Sequence, residues 1–322
     1  TSSAPTSTRP RVDTASRSSK PIMTLDGLLV TTRFGLYVDL ATLAGLPLFW
    51  WSMRLGFGAG ARLILTLLTL GAACLSALWL LASASAMTGS PLSAPDWSVI
   101  DILLRDTPIG SLLAVRATAL LLVLLLLFMP REWERPPAAI AVCASIAATT
   151  LAWSGHAGAT EGMAGTVHRA ADIAHIIAAS AWFGALLALL AMMFGAPWDL
   201  RAAKRTALVL HRFSLFGTLF VAAIIISGLV NAIMITGVAN LSALPRSLYG
   251  QLLLAKLALF SGMLLLAAAN RWRLAPALAA ASSGTGLDIA RRHLRLSLLT
   301  ESAAAFAILA LVAALGTLDP LS

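Results

Sequence analysis

Charge is scarce in this chain of 322 residues: Asp, Glu, Lys and Arg together make up 11% of it, against 59% hydrophobic residues, and the mean hydropathy is +0.86. So little polar surface cannot cover a soluble globule, so the chain must face lipid. Cysteine is nearly absent. Cys74 and Cys143 each lie inside an apolar run without a CxxC partner, which excludes a disulfide framework or a cysteine zinc site and leaves both as expected small core residues. P-loop and DKTG-type phosphorylation motifs are missing, and the connections between apolar runs are too short for an ATPase domain, so ATP-driven pumping is excluded. The formal charge of +9 is not a nucleic-acid footprint, because the basic residues fall in short clusters between apolar runs and form no basic stripe.

What the chain does have is apolar runs, near 28–51, 61–84, 107–129, 137–155, 170–194, 213–236, 248–269 and 297–317. Most approach the ~20 residues that cross a hydrocarbon core. They are long and rich in Leu and Ala, whereas barrel strands would alternate over about ten residues. The expectation is an all-α polytopic membrane protein, a bundle of about eight transmembrane helices over residues 25–322. The fourth run is the shortest and richest in alanine. Residues 1–24 are rich in Ser, Thr, Pro and Arg and are expected to be a disordered polar and basic tail. They lack the apolar stretch and small-residue cleavage site of a secretory signal, and Met23 is an alternative start.

Orientation follows from the Lys and Arg distribution. With the first span entering from outside, the cytoplasmic connections hold Arg54, Arg62, Arg131, Arg135, the 201–212 cluster, Arg271, Arg273 and the 291–295 cluster. The outer connections hold Arg105, Arg169 and Arg246, with four more basic residues in the tail. Both termini are therefore expected outside. The outer connection at 85–106 carries Asp96, Trp97, Asp101 and Asp106, a composition suited to a short interfacial helix.

Charged side chains within spans cost about 2.5–3.5 kcal/mol on insertion scales, and they mark partners, cavities or ion paths. Here they are Arg33, Asp39, Arg116, Asp172, Lys256 and Glu301. Three cations and three acids are able to neutralise one another as buried ion pairs that fix packing.

The segment HRAADIAH at 168–175 opens the fifth span. His168, Asp172 and His175 follow i, i+4, i+7 spacing and share one helical face, which Trp182 continues two turns deeper. Just before it, WSGHAG places His156 between two glycines at the outer end of the fourth span. The orientation puts His156, His168 and His175 on the same outer side, with Met87 and Met163 at that level. Imidazole suits copper, zinc, iron and nickel, a carboxylate orients a ligating imidazole, and thioethers favour Cu(I). The plainer reading is a set of interface residues hydrogen-bonded to Asp172 and loop carbonyls. At 1.5 Å rise per residue His168 and His175 stand roughly 10 Å apart, too far to share one ion bonded at ~2 Å. Either the helix begins irregularly or there are two stations, His168 at the mouth and His175 deeper.

GHA at 155–157, DIAHIIAASAWFGAL at 172–186, RFS at 212–214, SGLVNA at 227–232, and YGQLLLAKLAL with NRWRLAP across 249–276 together resemble the copper-resistance D (CopD) family. DTPIGSLLAVR at 106–116 and Glu301 fit the same pattern, so the resemblance runs over nearly all of 25–322. One departure is the second glycine of the usual WxGG pattern, Ala185 here, a residue small enough for close helix packing. The resemblance implies a copper-homeostasis protein of the bacterial inner membrane, a transporter and not an enzyme. It would move copper, as Cu(I) or Cu(II), from periplasm to cytoplasm, often beside a periplasmic CopC-type protein. On that reading His156, His168 and His175 take copper at the mouth, with Asp172 as orienting group or ligand and Met163 and Met87 as weaker candidates. Asp39, Asn231, Glu301 and Trp182 are candidates for a deeper path, and Arg33, Arg116 and Lys256 are structural or gating charges. His211 and His293 belong to the solvated inner surface. The rival readings are a haem-binding b-type cytochrome or reductase, for which His156 and His175 would supply facing axial ligands, and a copper-sensing scaffold without flux.

Overall fold

The computed structural model describes residues 21–56, 58–129, 137–153, 162–195, 198–237, 244–281 and 284–318. Every regular element among them is helical. Helix α1 spans Pro21–Ser52, α2 Ala59–Thr88, α3 Trp97–Arg105, α4 Pro108–Phe128 and α5 Pro137–Thr149, the last extended by a 3-10 turn over Thr150–Trp153. Helix α6 spans Gly162–Phe194 and α7 Leu200–Thr236. Helix α8, Leu248–Ala269, continues through a π-helical turn at Asn270–Leu274 into α9, Ala275–Ala280, and α10 spans Thr285–Leu315. The tail expected over 1–24 is shorter where the structure describes it, because α1 already begins at Pro21; residues 1–20 lie outside the described residues.

Seven of these helices are long and apolar enough to cross a membrane, with α8 and α9 forming one continuous span. The fourth apolar run forms a shorter apolar helix, Pro137–Trp153. Its 13 α-helical residues and four 3-10 residues reach about 28 Å, just under the ~30 Å of a hydrocarbon core. Helices α7 and α10 run 12 or so residues beyond the apolar stretches read from the sequence, at their basic ends. Charged residues there continue the helix into the polar surroundings, which a hydropathy window cannot register. The short interfacial helix expected in the 85–106 connection is α3. Asp96 caps it by accepting from the Ser98 and Val99 N–H groups. Those bonds, led by that from the Ser98 hydroxyl, hold the Asp96 carboxyl below its usual range. Trp97 stays exposed beside it.

Helix α1 is the hub, packed against α2, α5, α6 and α10. The α1–α6 crossing is set by Gly45 and Gly184, since a Cβ on either would collide with the backbone of the other helix. Ala185, at the departure from the WxGG pattern, is fully buried beside this crossing. Helix α6 in turn carries α7, while α8 leans on α10. The cysteines differ from expectation: Cys74 is exposed on α2 and Cys143 half-buried on α5, because both sit on faces the bundle does not cover.

Candidate functional site

Helix α6 is continuous from Gly162 through Phe194. An irregular start is thus excluded as the way to join His168 and His175, and the ~10 Å separation of the two residues stands. His168 is buried in the second turn, and Asp172 and His175 are half-buried along the helix. His156 lies outside the described residues.

The side chains facing α6 from α7 define the chemistry. Asn231 donates from Nδ2 to Asp172 Oδ1 at 3.0 Å. His175 Nδ1 stands 3.0 Å from the Ser227 hydroxyl, which itself lies 2.5 Å from the Ala223 carbonyl oxygen. A carbonyl only accepts, so the Ser227 hydroxyl proton is committed to Ala223 and its oxygen accepts from His175. With Ser227 accepting, Nδ1 carries the imidazole proton, and the ring has the Ile224 backbone as a further partner. Ser227 and Asn231 are spaced i, i+4 on α7 and meet residues spaced i, i+3 on α6, so the two pairs form adjacent layers of one seam. Lys256 reaches this seam from α8, close enough to interact electrostatically with both Asp172 and His175.

On the described contacts, His175 meets Ser227 and the Asp172 carboxylate accepts from Asn231. Trp182 is buried and packs edge-on against Phe260 of α8, with ring centroids 5.7 Å apart, as a core residue between spans. Met87 and Met163 are exposed at the ends of α2 and α6. His211 and His293 are exposed, as expected. Among the described residues no three His, Cys, Asp or Glu side chains converge to hold a metal ion. No described histidine faces His175 across the seam either; its ring meets Ser227 and Gly228.

Arg33, Arg116 and Glu301 each meet hydroxyl or amide groups. Arg116 is buried between the Thr150 hydroxyl at 2.7 Å and the Ser76 hydroxyl at 3.2 Å. Arg33 donates to the Tyr37 hydroxyl at 3.0 Å and stacks on its ring. Asp39 projects into the space left by Gly71 on α2, and its Oδ1 is buried without a hydrogen-bond partner. Glu301 is buried on α10, where its Oε1 accepts from Asn270 Nδ2 and from the Ser297 hydroxyl. Hydroxyl and amide groups thus stand against Arg33, Arg116 and Glu301, and Lys256 is the cation near Asp172. Ser227, Asn270 and Ser297 were not singled out from the sequence. The available signal was the i, i+4 placement of Ser227 and Asn231 within SGLVNA, and Asn270 as the first residue of NRWRLAP.

These features define a multi-pass, all-α membrane protein whose spans carry an imidazole, buried acids and amides on facing helices. Residues 23–166 match the family profile described as copper resistance protein D-like, N-terminal domain, and residues 207–315 match that described as copper resistance protein D. The chain is 34% identical over 303 residues to copper resistance protein D of Pseudomonas syringae pv. tomato, covering 92% of this chain and 97% of that protein. It is also 38% identical over 131 residues to inner membrane protein YebZ of Escherichia coli (strain K12), covering 39% of this chain and 42% of that protein. The chain belongs to the copper resistance protein D family. No solved structure matches it.

Proposed function

We propose that this protein takes copper from the periplasm and passes it across the inner membrane toward the cytoplasm, with the α6–α7 seam as the outer part of the route. The observation that carries this reading is the His175–Ser227 contact within a polar seam: Ser227 holds Nδ1, so Nε2 would be the nitrogen that takes an ion. Kinship to a protein named for copper resistance supplies the cargo. Kinship to a protein named for the inner membrane supports the location, and the basic clusters at the α7 and α10 starts support both termini outside.

On this reading His156 and His168 form the mouth and His175 the next station. Asp172 with Asn231 adds oxygen donors one layer from the imidazole. Met87 and Met163, exposed at the helix ends, would contribute thioethers before the mouth. Asp39, with an unpartnered buried oxygen on α1, is a candidate for the deeper route. Lys256 acts as the gate: its ammonium competes with copper for the field of Asp172, so it must swing aside or be outcompeted as the ion arrives. Arg33 and Arg116 lie away from the seam and hold helices together. A periplasmic CopC-type donor would deliver to the mouth.

The test is uptake of copper of defined oxidation state by proteoliposomes containing the purified protein. Accumulation of Cu(I) or Cu(II) above empty liposomes is expected. Binding without accumulation would move the protein to the sensing class, and a stoichiometric Soret band in its visible spectrum would move it to the haem class.

A further inference from the structure

The α8–α10 contact contains a second polar site that the histidine route does not use. Glu301 is 1% exposed, Asn270 6% and Ser297 8%. The Asn270 amide donates to Glu301 Oε1, and the Ser297 hydroxyl reaches the same oxygen at 3.3 Å. Yet the Asn270 Oδ1 atom is buried with no hydrogen-bond partner, and so is the hydroxyl of Ser302, next along α10 from Glu301. Native interiors rarely leave such polar atoms orphaned, and two of them beside a buried carboxylate call for a missing positive ligand. Among the described residues no cation forms a salt bridge with Glu301. At the α6–α7 seam, by contrast, Asn231 Oδ1 is similarly unpartnered but Lys256 already supplies positive charge to Asp172.

We propose that Glu301, Asn270 and Ser297 form a binding site for a hard monovalent cation, an alkali ion of the sodium or potassium kind. The donor set is all oxygen and carries one negative charge, which suits a hard cation of charge one; soft Cu(I) prefers sulfur and imidazole. Asn270 supplies the two states. With the site empty its N–H end donates to the carboxylate. Half a turn about Cβ–Cγ presents the carbonyl end instead, so that amide, carboxylate and hydroxyl oxygens converge and the orphan acceptor gains its partner. Asn270 begins the π-helical turn at Asn270–Leu274, where the looser backbone pattern gives that side chain room to reorient. The site is independent of the copper route, and it stands or falls separately.

The test is binding of radioactive sodium to the full-length protein in nanodiscs, with potassium as competitor. Saturable binding is expected, lost in Glu301→Gln, weakened about tenfold in Asn270→Ala by loss of one ligand, and unchanged in His175→Ala. Displacement of sodium by low potassium identifies potassium as the occupant, and resistance to it identifies sodium; either supports the site. Absence of saturable binding by the wild type overturns the proposal, as does binding that Glu301→Gln retains. If Glu301→Gln does not fold, an unchanged affinity in Asn270→Ala overturns it.

Discussion

The α6–α7 seam and the α8–α10 contact each join a carboxylate to an asparagine, Asp172 to Asn231 and Glu301 to Asn270, but what stands beside each pair differs. The first has an imidazole and an ammonium within electrostatic reach. The second has only hydroxyl groups and is sealed from solvent. The same amide–carboxylate unit is thereby set up for different cations. Nitrogen beside it suits a transition metal, and oxygen alone suits a hard ion. The lesson is that selectivity in this bundle is decided by the neighbours of the acid and less by the acid itself.

The largest expected effect that would break this comparison is His175→Ala, which removes the imidazole that Ser227 holds in the first seam. It should abolish histidine ligation in the X-ray absorption spectrum of copper bound at this station. Ser227→Ala leaves the imidazole but removes its orienting partner; such supporting groups are typically worth about 10–100-fold in metal affinity, readable by competition against a copper chelator. Next comes Asn231→Leu, which deprives Asp172 of its hydrogen-bond donor and should lower stability by about 1–3 kcal/mol in unfolding measurements. The smallest effect is expected outside both seams. Arg116→Met removes a buried cation with no carboxylate against it, while Ser76 and Thr150 keep their bonds to the Ala72 and Ala147 carbonyls at 2.7 and 2.5 Å. The change should lie between neutral and a gain of about 1 kcal/mol. A loss of several kcal/mol there would show that Arg116 is paired in the working state.

The architecture was legible because lipid imposes a simple rule: an apolar run of sufficient length becomes a helix. The helix of residues 248–269 follows the run residue for residue, and the weak fourth run forms the shorter apolar helix Pro137–Trp153. The i, i+4, i+7 spacing of His168, Asp172 and His175 and the importance of Asn231 were also legible, because they are polar in an apolar setting. Ser227 was not. A serine in an apolar helix commonly bonds its own backbone, as Ser227 also does to Ala223, and only the approach of α7 to α6 reveals its second role. Asn270 was hidden for a related reason: it stands at the end of an apolar run among arginines, where hydropathy reads it as surface, whereas the π turn rotates it inward to Glu301. The Gly45–Gly184 crossing shows the same limit. Small residues permit close approach, but the sequence does not say which two helices meet there.

The most direct test of the copper route is initial-rate copper uptake by proteoliposomes carrying either the wild type or His175→Ala, with equal reconstitution and an unchanged unfolding temperature as the control for folding. The account predicts uptake by the wild type and a rate indistinguishable from empty liposomes for the variant. Wild-type uptake by a folded His175→Ala protein would contradict it.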